Sequence, residues 1–486
     1  MMYRFRSKVI VGLVLLALTI MPISSVFALP PTVGEAVSSF AYTQNMHPLG
    51  FSFRENTPSP FTANSDFAFW GNYAYHGNYD GFRVIDISAP ANPVEVLDYR
   101  DCAGNQGDVI VWENVLVRSW NSPAPAGATC DGEPVLPGVF GAWEGLHVFD
   151  ISDPTDPDLV ASIETECGSH TATGVPDLAN GRLLIYNSPS SGACPGIDIV
   201  EVPLSDPASA SYLRFEPAGR SCHDTGVILG DVNLAACAGG NGFSVWSLGG
   251  ASGGSLEDPM QLYSRTIDGV GIGHSASFTW DGNVLIFGHE PGGGGQAQCQ
   301  ESSSVTNRSL FFFDPPTGDL LGTFVHPRPQ TNTENCTWHN FNVVPSDKRY
   351  VLFAGNYQSG ISVVEFTDPA NAFEIAYADP APLSTESLIL GGDWSSYWYD
   401  GFIYESDITR GLITWNLSDN VVAGAKKLGH LNPQTQEFSF PFKGTAFGRN
   451  KAAADQQGFV VFGESAPGDV SGGEGGGEDF GGEGGD

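Results

Sequence analysis

Four histidines recur at one point of a repeating pattern: His170 in GSHTAT, His223 in SCHDTG, His274 in GHSASF and His339 in WHNFN. Imidazoles held close together repel one another when protonated. They are comfortable when neutral and sharing a cation, and nitrogen ligation of this kind suits zinc, copper or iron. The competing reading is that a repeated histidine hydrogen-bonds neighbouring repeats or trapped water. His76 in YAYHGNYDG, His289 and Glu290 in FGHEPGGGG, and Asp407 in YESDITRG form a candidate outer shell. Asp224 could orient the imidazole of His223, although adjacent residues on a strand point to opposite faces, which argues against the pair. The chain carries no G-x-S-x-G elbow, no phosphate-cradling Walker loop and no H-E-x-x-H zinc helix.

The elements that must position these groups repeat as well. GFRVIDIS (81–88), GLHVFDIS (145–152), GIDIVEVP (196–203), GFSVWSLG (242–249), SLFFFDPP (309–316), GISVVEFT (360–367) and GLITWNLS (411–418) are variants of one strand. Their starts lie 64, 51, 46, 67, 51 and 51 residues apart, the range of propeller blades. Each copy opens on Gly or Ser, runs through apolar residues and ends near an oxygen-bearing side chain such as Asp86, Asp150 or Asp314. Such side chains satisfy backbone N–H groups in Asx turns, which is the simplest use for them here. DVIVW, NVLVRSW, GLHVFDIS and LVASIET (108–165) form one complete unit of four short strands, with the phrase as the third. A four-stranded unit cannot bury both sheet faces alone, so neighbours must pack on one another. Seven such units imply an all-β chain, a seven-bladed β-propeller of four-stranded antiparallel blades.

In a propeller the loop entering the innermost strand and the loop leaving the second strand share one face. That geometry places the four repeated histidines, His76 and His289 on one face, with the four repeated ones near the axis. The same geometry pairs the eight cysteines. Cys102–Cys130, Cys167–Cys194 and Cys222–Cys237 would each join the two loops of one blade, and Cys299–Cys336 would join blades 5 and 6. All four bridges would lie on the histidine face.

GLHVFDISDPTDPDLV (145–160) resembles the LVIVD-repeat family of exported bacterial β-propeller proteins, and GFRVIDISAPANPVEV (81–96) and GISVVEFTDPANAFEI (360–375) are similar to it. The resemblance spans about residues 65–430. It implies a propeller at a cell surface or outside the cell, and no settled activity.

The termini fit export. Residues 1–28 read as a secretory signal, with Arg4, Arg6 and Lys8 before an apolar run and Val26-Phe27-Ala28 as the cleavage site. Residues 29–64 are expected as an N-terminal extension, 65–464 as the propeller with GFVVFGE (458–464) as a closing segment, and 465–486 as a disordered Gly-rich acidic tail. The net charge of −34 opposes binding to nucleic acid or anionic lipid. No later segment is long and apolar enough to span a membrane. Two functions are therefore expected in competition. One is a secreted module that binds a protein or glycan, its histidine face holding a transition metal. The other is a metal-dependent enzyme, a hydrolase or copper-type oxidase, using the same cluster.

Overall fold

The computed structural model describes residues 31–54, 63–136, 138–190 and 192–444. The expected signal, the 458–464 segment and the acidic tail lie outside the described residues. The chain divides into two compact units, Met1–Pro31 and Thr32–Asp486, and every described strand belongs to the second.

Seven antiparallel sheets follow one another in sequence, each built around one copy of the repeated phrase. In blade 1 the order from the inside outward is Asn64–Trp70, Tyr73–Asn78, Gly81–Asp86 and Val94–Tyr99. Blades 2 to 6 follow the same order, and the phrase is the third strand in every blade. The fold is a seven-bladed β-propeller.

Burial explains the composition of the phrase. Phe82, Val84 and Ile85 are fully buried because neighbouring blades cover both faces of the sheet, so the strand reads as an apolar run rather than an alternation. The outermost strands are far more exposed, as in Met260–Thr266. The opening glycine is a packing requirement. A Cβ on Gly81 would lie 1.8 Å from the Tyr99 carbonyl oxygen, and one on Gly242 would lie 2.0 Å from that of Arg265. Asp86 and Asp150 accept the backbone N–H of Ser88 and Ser152, each at 2.8 Å, which is the Asx-turn role expected of them.

The ring closes from the N-terminal side. The outermost strand of blade 7 is Met46–Phe53, paired antiparallel with Gly411–Leu417. This corrects the expectation of an extension over 29–64: part of that segment is the fourth strand of the last blade. The physical reason is that blade 7 contributes only three strands of its own before the repeats end, leaving an open sheet edge to be covered.

A short segment after the last blade then crosses the channel. Leu431 pairs with Phe69 of blade 1, and Thr435–Gln436 pairs parallel with Val227–Ile228 of blade 4. Between them the Asn432 amide imitates a strand partner for blade 2, accepting from Val111 N at 2.7 Å and donating to Val111 O at 2.8 Å. Both pairings engage the far ends of innermost strands, so the segment plugs the channel from the face opposite the histidines.

Candidate functional site

The four repeated histidines meet. They stand just before or at the start of the innermost strands of blades 3, 4, 5 and 6. Their rings form a continuous run, with centroids 4.2 Å apart for His170–His223, 3.8 Å for His223–His274 and 4.2 Å for His274–His339. His170, His274 and His339 are buried, whereas 20% of the His223 side chain is exposed and forms the mouth.

Each Nδ1 is engaged. That of His170 lies 2.7 Å from Asn121 Oδ1, and that of His339 lies 2.7 Å from the Trp394 carbonyl oxygen. His223 Nδ1 is 3.1 Å from Asp224 Oδ1. His274 Nδ1 is 2.7 Å from Ser275 Oγ, whose own proton is drawn to the acceptors Asp224 Oδ2 at 2.7 Å and His339 O at 2.5 Å. All four Nδ1 atoms thus face oxygen-bearing groups; the Asp224 carboxylate and the Trp394 carbonyl can only accept, so His223 and His339 donate Nδ1–H and carry their lone pair on Nε2 when neutral. His170 Nε2 and His223 Nε2 face one another at 2.7 Å.

The Asp224–His223 contact corrects the expectation from strand alternation. The innermost strand of blade 4 begins at Asp224, so His223 belongs to the entering loop and the strand rule does not apply to the pair.

Burial dominates the electrostatics. It holds the His170 and His274 rings well below the ordinary histidine pKa, assisted by neighbouring imidazoles, and lowers His339 to about 4 against the pull of the Trp394 carbonyl. Burial alone would raise Asp224. The hydrogen bond and charge of His223, with the Ser275 hydroxyl, outweigh it and leave the carboxyl below its usual value.

The expected outer shell divides. Glu290 joins the cluster: one ligand atom each from His274, Glu290 and His339 lie within 4.8 Å of one another, as do those of His223, Asp224 and His274. Glu290 Oε1 also accepts from the Tyr357 hydroxyl. His289, the next residue back along the chain, turns the other way and donates Nε2–H to the Thr306 carbonyl at 2.7 Å. His76 lies between blades 1 and 7, with Nε2 2.7 Å from Ser406 Oγ and its ring against Phe67, so it stands apart from the cluster. Asp407 is held by Arg410 at 2.7 Å and caps its own turn through the N–H of Thr409.

The cysteines pair as Cys102–Cys130, Cys167–Cys194, Cys222–Cys237 and Cys299–Cys336. Cys222 directly precedes His223, so its bridge to the second strand of blade 4 fixes the loop that carries the mouth histidine. Cys102 and Cys130 also approach His147, but their sulfurs are bonded to each other and are not thiolate ligands.

Four contributors were not legible as site residues. Asn121 and Tyr357 sit at exits of second strands, and Ser275 follows a histidine that drew attention alone. Gln434, whose amide reaches 3.5 Å from Asp224 Oδ2, comes from the plug, where no repeat pattern operates.

Among the described residues, no helix is long and apolar enough to cross a membrane. The LVIVD repeat model matches residues 64–101 and 140–165, which fall on blades 1 and 2. No curated protein matches the chain. The computationally designed Ika8 protein is similar over 76% of this chain and 99% of its own, at 11% identity and a TM-score of 0.42. A chain of the mitotic checkpoint complex is similar over 85% of this chain and 100% of its own, at 10% identity and a TM-score of 0.45. Neither likeness bears on function. The chain is a seven-bladed β-propeller whose first two blades match the LVIVD repeat.

Proposed function

We propose that this protein is an exported binding module whose channel mouth holds one transition metal ion, zinc, copper or iron, on Nε2 atoms of His170, His223, His274 and His339. Glu290 stands beside the last two as an oxygen ligand. The observation that carries this reading is the 2.7 Å approach of two Nε2 atoms whose rings both direct Nδ1 at oxygen-bearing groups. At that separation the neutral rings share one proton as an Nε2–H···Nε2 hydrogen bond, and a metal about 2.0–2.1 Å from each nitrogen takes the place of that proton once the two nitrogens part by roughly half an ångström. The Asp224–His223 and Trp394–His339 contacts are the outer partners that orient metal-ligating imidazoles. Binding draws the rings together about the ion, because the four do not all surround one point beforehand.

Four disulfides fit an oxidising compartment, which supports export. The partner is a protein or glycan reached through the histidine face. The enzyme reading needs the same metal and, in addition, a position on it open to water or substrate, for which the exposed edge of His223 is the opening.

The test is metal analysis of the full chain with and without His223→Ala and His274→Ala together. Stoichiometric metal in the wild type, lost in a double variant that keeps its β-rich circular dichroism, supports the site. A wild type that binds no zinc, copper or iron at micromolar concentration overturns it. Metal-dependent turnover of ester or thiol substrates would replace the module with the enzyme.

A further inference from the structure

The third strand of blade 2, Gly145–Asp150, places His147 inside the blade, away from the channel and beside a disulfide. The residue is 1% exposed, and its Nδ1 is buried with no hydrogen-bond partner among the described residues. Its counterparts at the same offset of the repeated phrase in blades 1 and 3 are both engaged. Arg83 donates to Glu95 at 2.6 Å, while Asp198 accepts the Cys167 N–H at 3.2 Å and the Tyr212 hydroxyl at 3.1 Å. An unpaired buried nitrogen is costly, so this one calls for a partner.

The nearest chemistry is sulfur. A ring nitrogen of His147 lies within 4.8 Å of Cys102 Sγ and Cys130 Sγ, and both cysteines are buried. Trp120 and Trp143 flank the ring, with centroids 5.5 and 4.5 Å away. Burial, aided by the charge of Arg118 directly across the sheet, lowers His147 to about 3 and keeps the imidazole neutral, the form that ligates metals. The two sulfurs are also held in place by more than their own bond. Asp101, next to Cys102, accepts from Thr129 Oγ1 at 3.0 Å and from Gly132 N at 2.6 Å, and its carbonyl accepts from Asp131 N at 2.8 Å. These contacts bracket Cys130 in the short hairpin of Thr129–Cys130 and Glu133–Pro134. Thr129, Glu133 and Pro134 are exposed, so local opening of two-residue strands admits a reductant.

We infer that the Cys102–Cys130 bridge masks a redox-gated zinc site, in which both thiolates and the His147 imidazole bind one Zn²⁺ once the disulfide is reduced. A dithiol supplies the two electrons that cleave the S–S bond, and it leaves as its own cyclic disulfide. Zinc then forms two bonds to sulfur and one to nitrogen, displacing one proton from each thiol. Two thiolates and one imidazole suit zinc and leave a fourth position for water. The oxidised chain has no such site, because its sulfurs are bonded to each other.

The experiment uses the full chain, reduced with dithiothreitol, freed of it without air and titrated with Co²⁺. Thiolate-to-cobalt charge transfer absorbs in the near ultraviolet, whereas imidazole ligation at the channel mouth gives no such band. The reduced wild type should keep its β-rich circular dichroism and show the band, which zinc displaces; the oxidised wild type should not show it. A double variant, Cys102→Ser with Cys130→Ser, should lose the band although the other cysteines remain. His147→Gln, which leaves every disulfide intact before reduction, should bind Co²⁺ at least about tenfold more weakly, since even the outer partners of a ligand are worth that much. It decides the matter alone if the double variant does not fold. The inference is overturned if the reduced wild type unfolds or shows no band. It is equally overturned if the band survives in the folded double variant, meaning that other cysteines produce it, or if His147→Gln binds as tightly as the wild type. The His223→Ala, His274→Ala double variant should retain the band, so failure of the channel-mouth site leaves this result untouched.

Discussion

His170 Nε2 lies 2.7 Å from His223 Nε2, and the two residues come from adjacent blades, 53 positions apart in sequence. Propeller symmetry produces this contact: equivalent positions in neighbouring blades are related by rotation about the axis, so inward-directed side chains converge. Asn121 and Asp224 then fix which nitrogen of each ring faces the other.

Asp224 is a positioning residue for the proposed metal site. Replacing it with Asn keeps the shape but removes the charge that holds His223 Nδ1–H, and outer partners of this kind are worth about 10–100-fold in metal affinity. Asp224→Asn is expected to weaken zinc binding by that order in a chelator-competition titration. Unchanged affinity would show that the Asp224 charge does not orient the imidazole.

Acidification should remove the contribution of the buried histidines to the stability of the metal-free protein. The buried rings of His170, His274 and His339 have folded pKa values below the unfolded value of about 6.5, with His339 near 4, so the unfolded chain takes up protons that the folded chain refuses. Their contribution is intact above pH 6.5 and is lost as pH falls from there toward 4, at about 1 kcal/mol per ring per pH unit. Buried carboxyls act oppositely: Asp66, Asp198 and Asp379 are raised to about 6, and burial holds Asp108, Asp393 and Glu405 well above the usual carboxylate range, so the histidine contribution is read as a difference between proteins. The fall in urea midpoint from pH 7 to pH 5, compared between the wild type and a folded His339→Gln variant, measures it: the variant should lose less, and an equal change in both would contradict the contribution.

The fold was legible because its signal is redundant. Seven copies of a strand whose apolar run reflects burial on both faces, each opening where a fourth strand passes close, identify blades even where blades 4, 5 and 7 depart from the common wording. The meeting of His170, His223, His274 and His339 followed from symmetry alone. What escaped the sequence depended on one-off geometry. His289 and Glu290 are neighbours in sequence, yet only Glu290 faces His339, because the chain reverses their side chains as it leaves the strand. The closing strand Met46–Phe53 and the plug carry no repeat pattern, so nothing local marks their partners.

The N-terminal closure should be essential to the last blade. Met46 is fully buried and packs in one cluster with Trp398, Ile413 and Trp415. Met46→Ala is expected to cost about 2–5 kcal/mol in chemical denaturation. Deleting residues 31–54 should leave an unpaired edge on blade 7 and a chain that aggregates, as light scattering would report. A deletion variant that stays monomeric with unchanged Tm would contradict the observed pairing.

Breaking the Cys222–Cys237 bridge should loosen the mouth. The two cysteines are 15 residues apart, and cross-links of that span contribute about 3 kcal/mol. A variant with both replaced by Ser should lose stability of that order and bind zinc more weakly than the wild type, because the loop carrying His223 is no longer tied down. Equal affinity in the two proteins would show that the bridge leaves the metal site indifferent.

The most direct measurement is X-ray absorption spectroscopy of the full chain loaded with one equivalent of zinc. The proposed site predicts at least three nitrogen scatterers about 2.0–2.1 Å from the metal, with imidazole outer-shell features that disappear in the His223→Ala, His274→Ala double variant. A first shell dominated by oxygen, or a spectrum unchanged in that variant, would contradict the site.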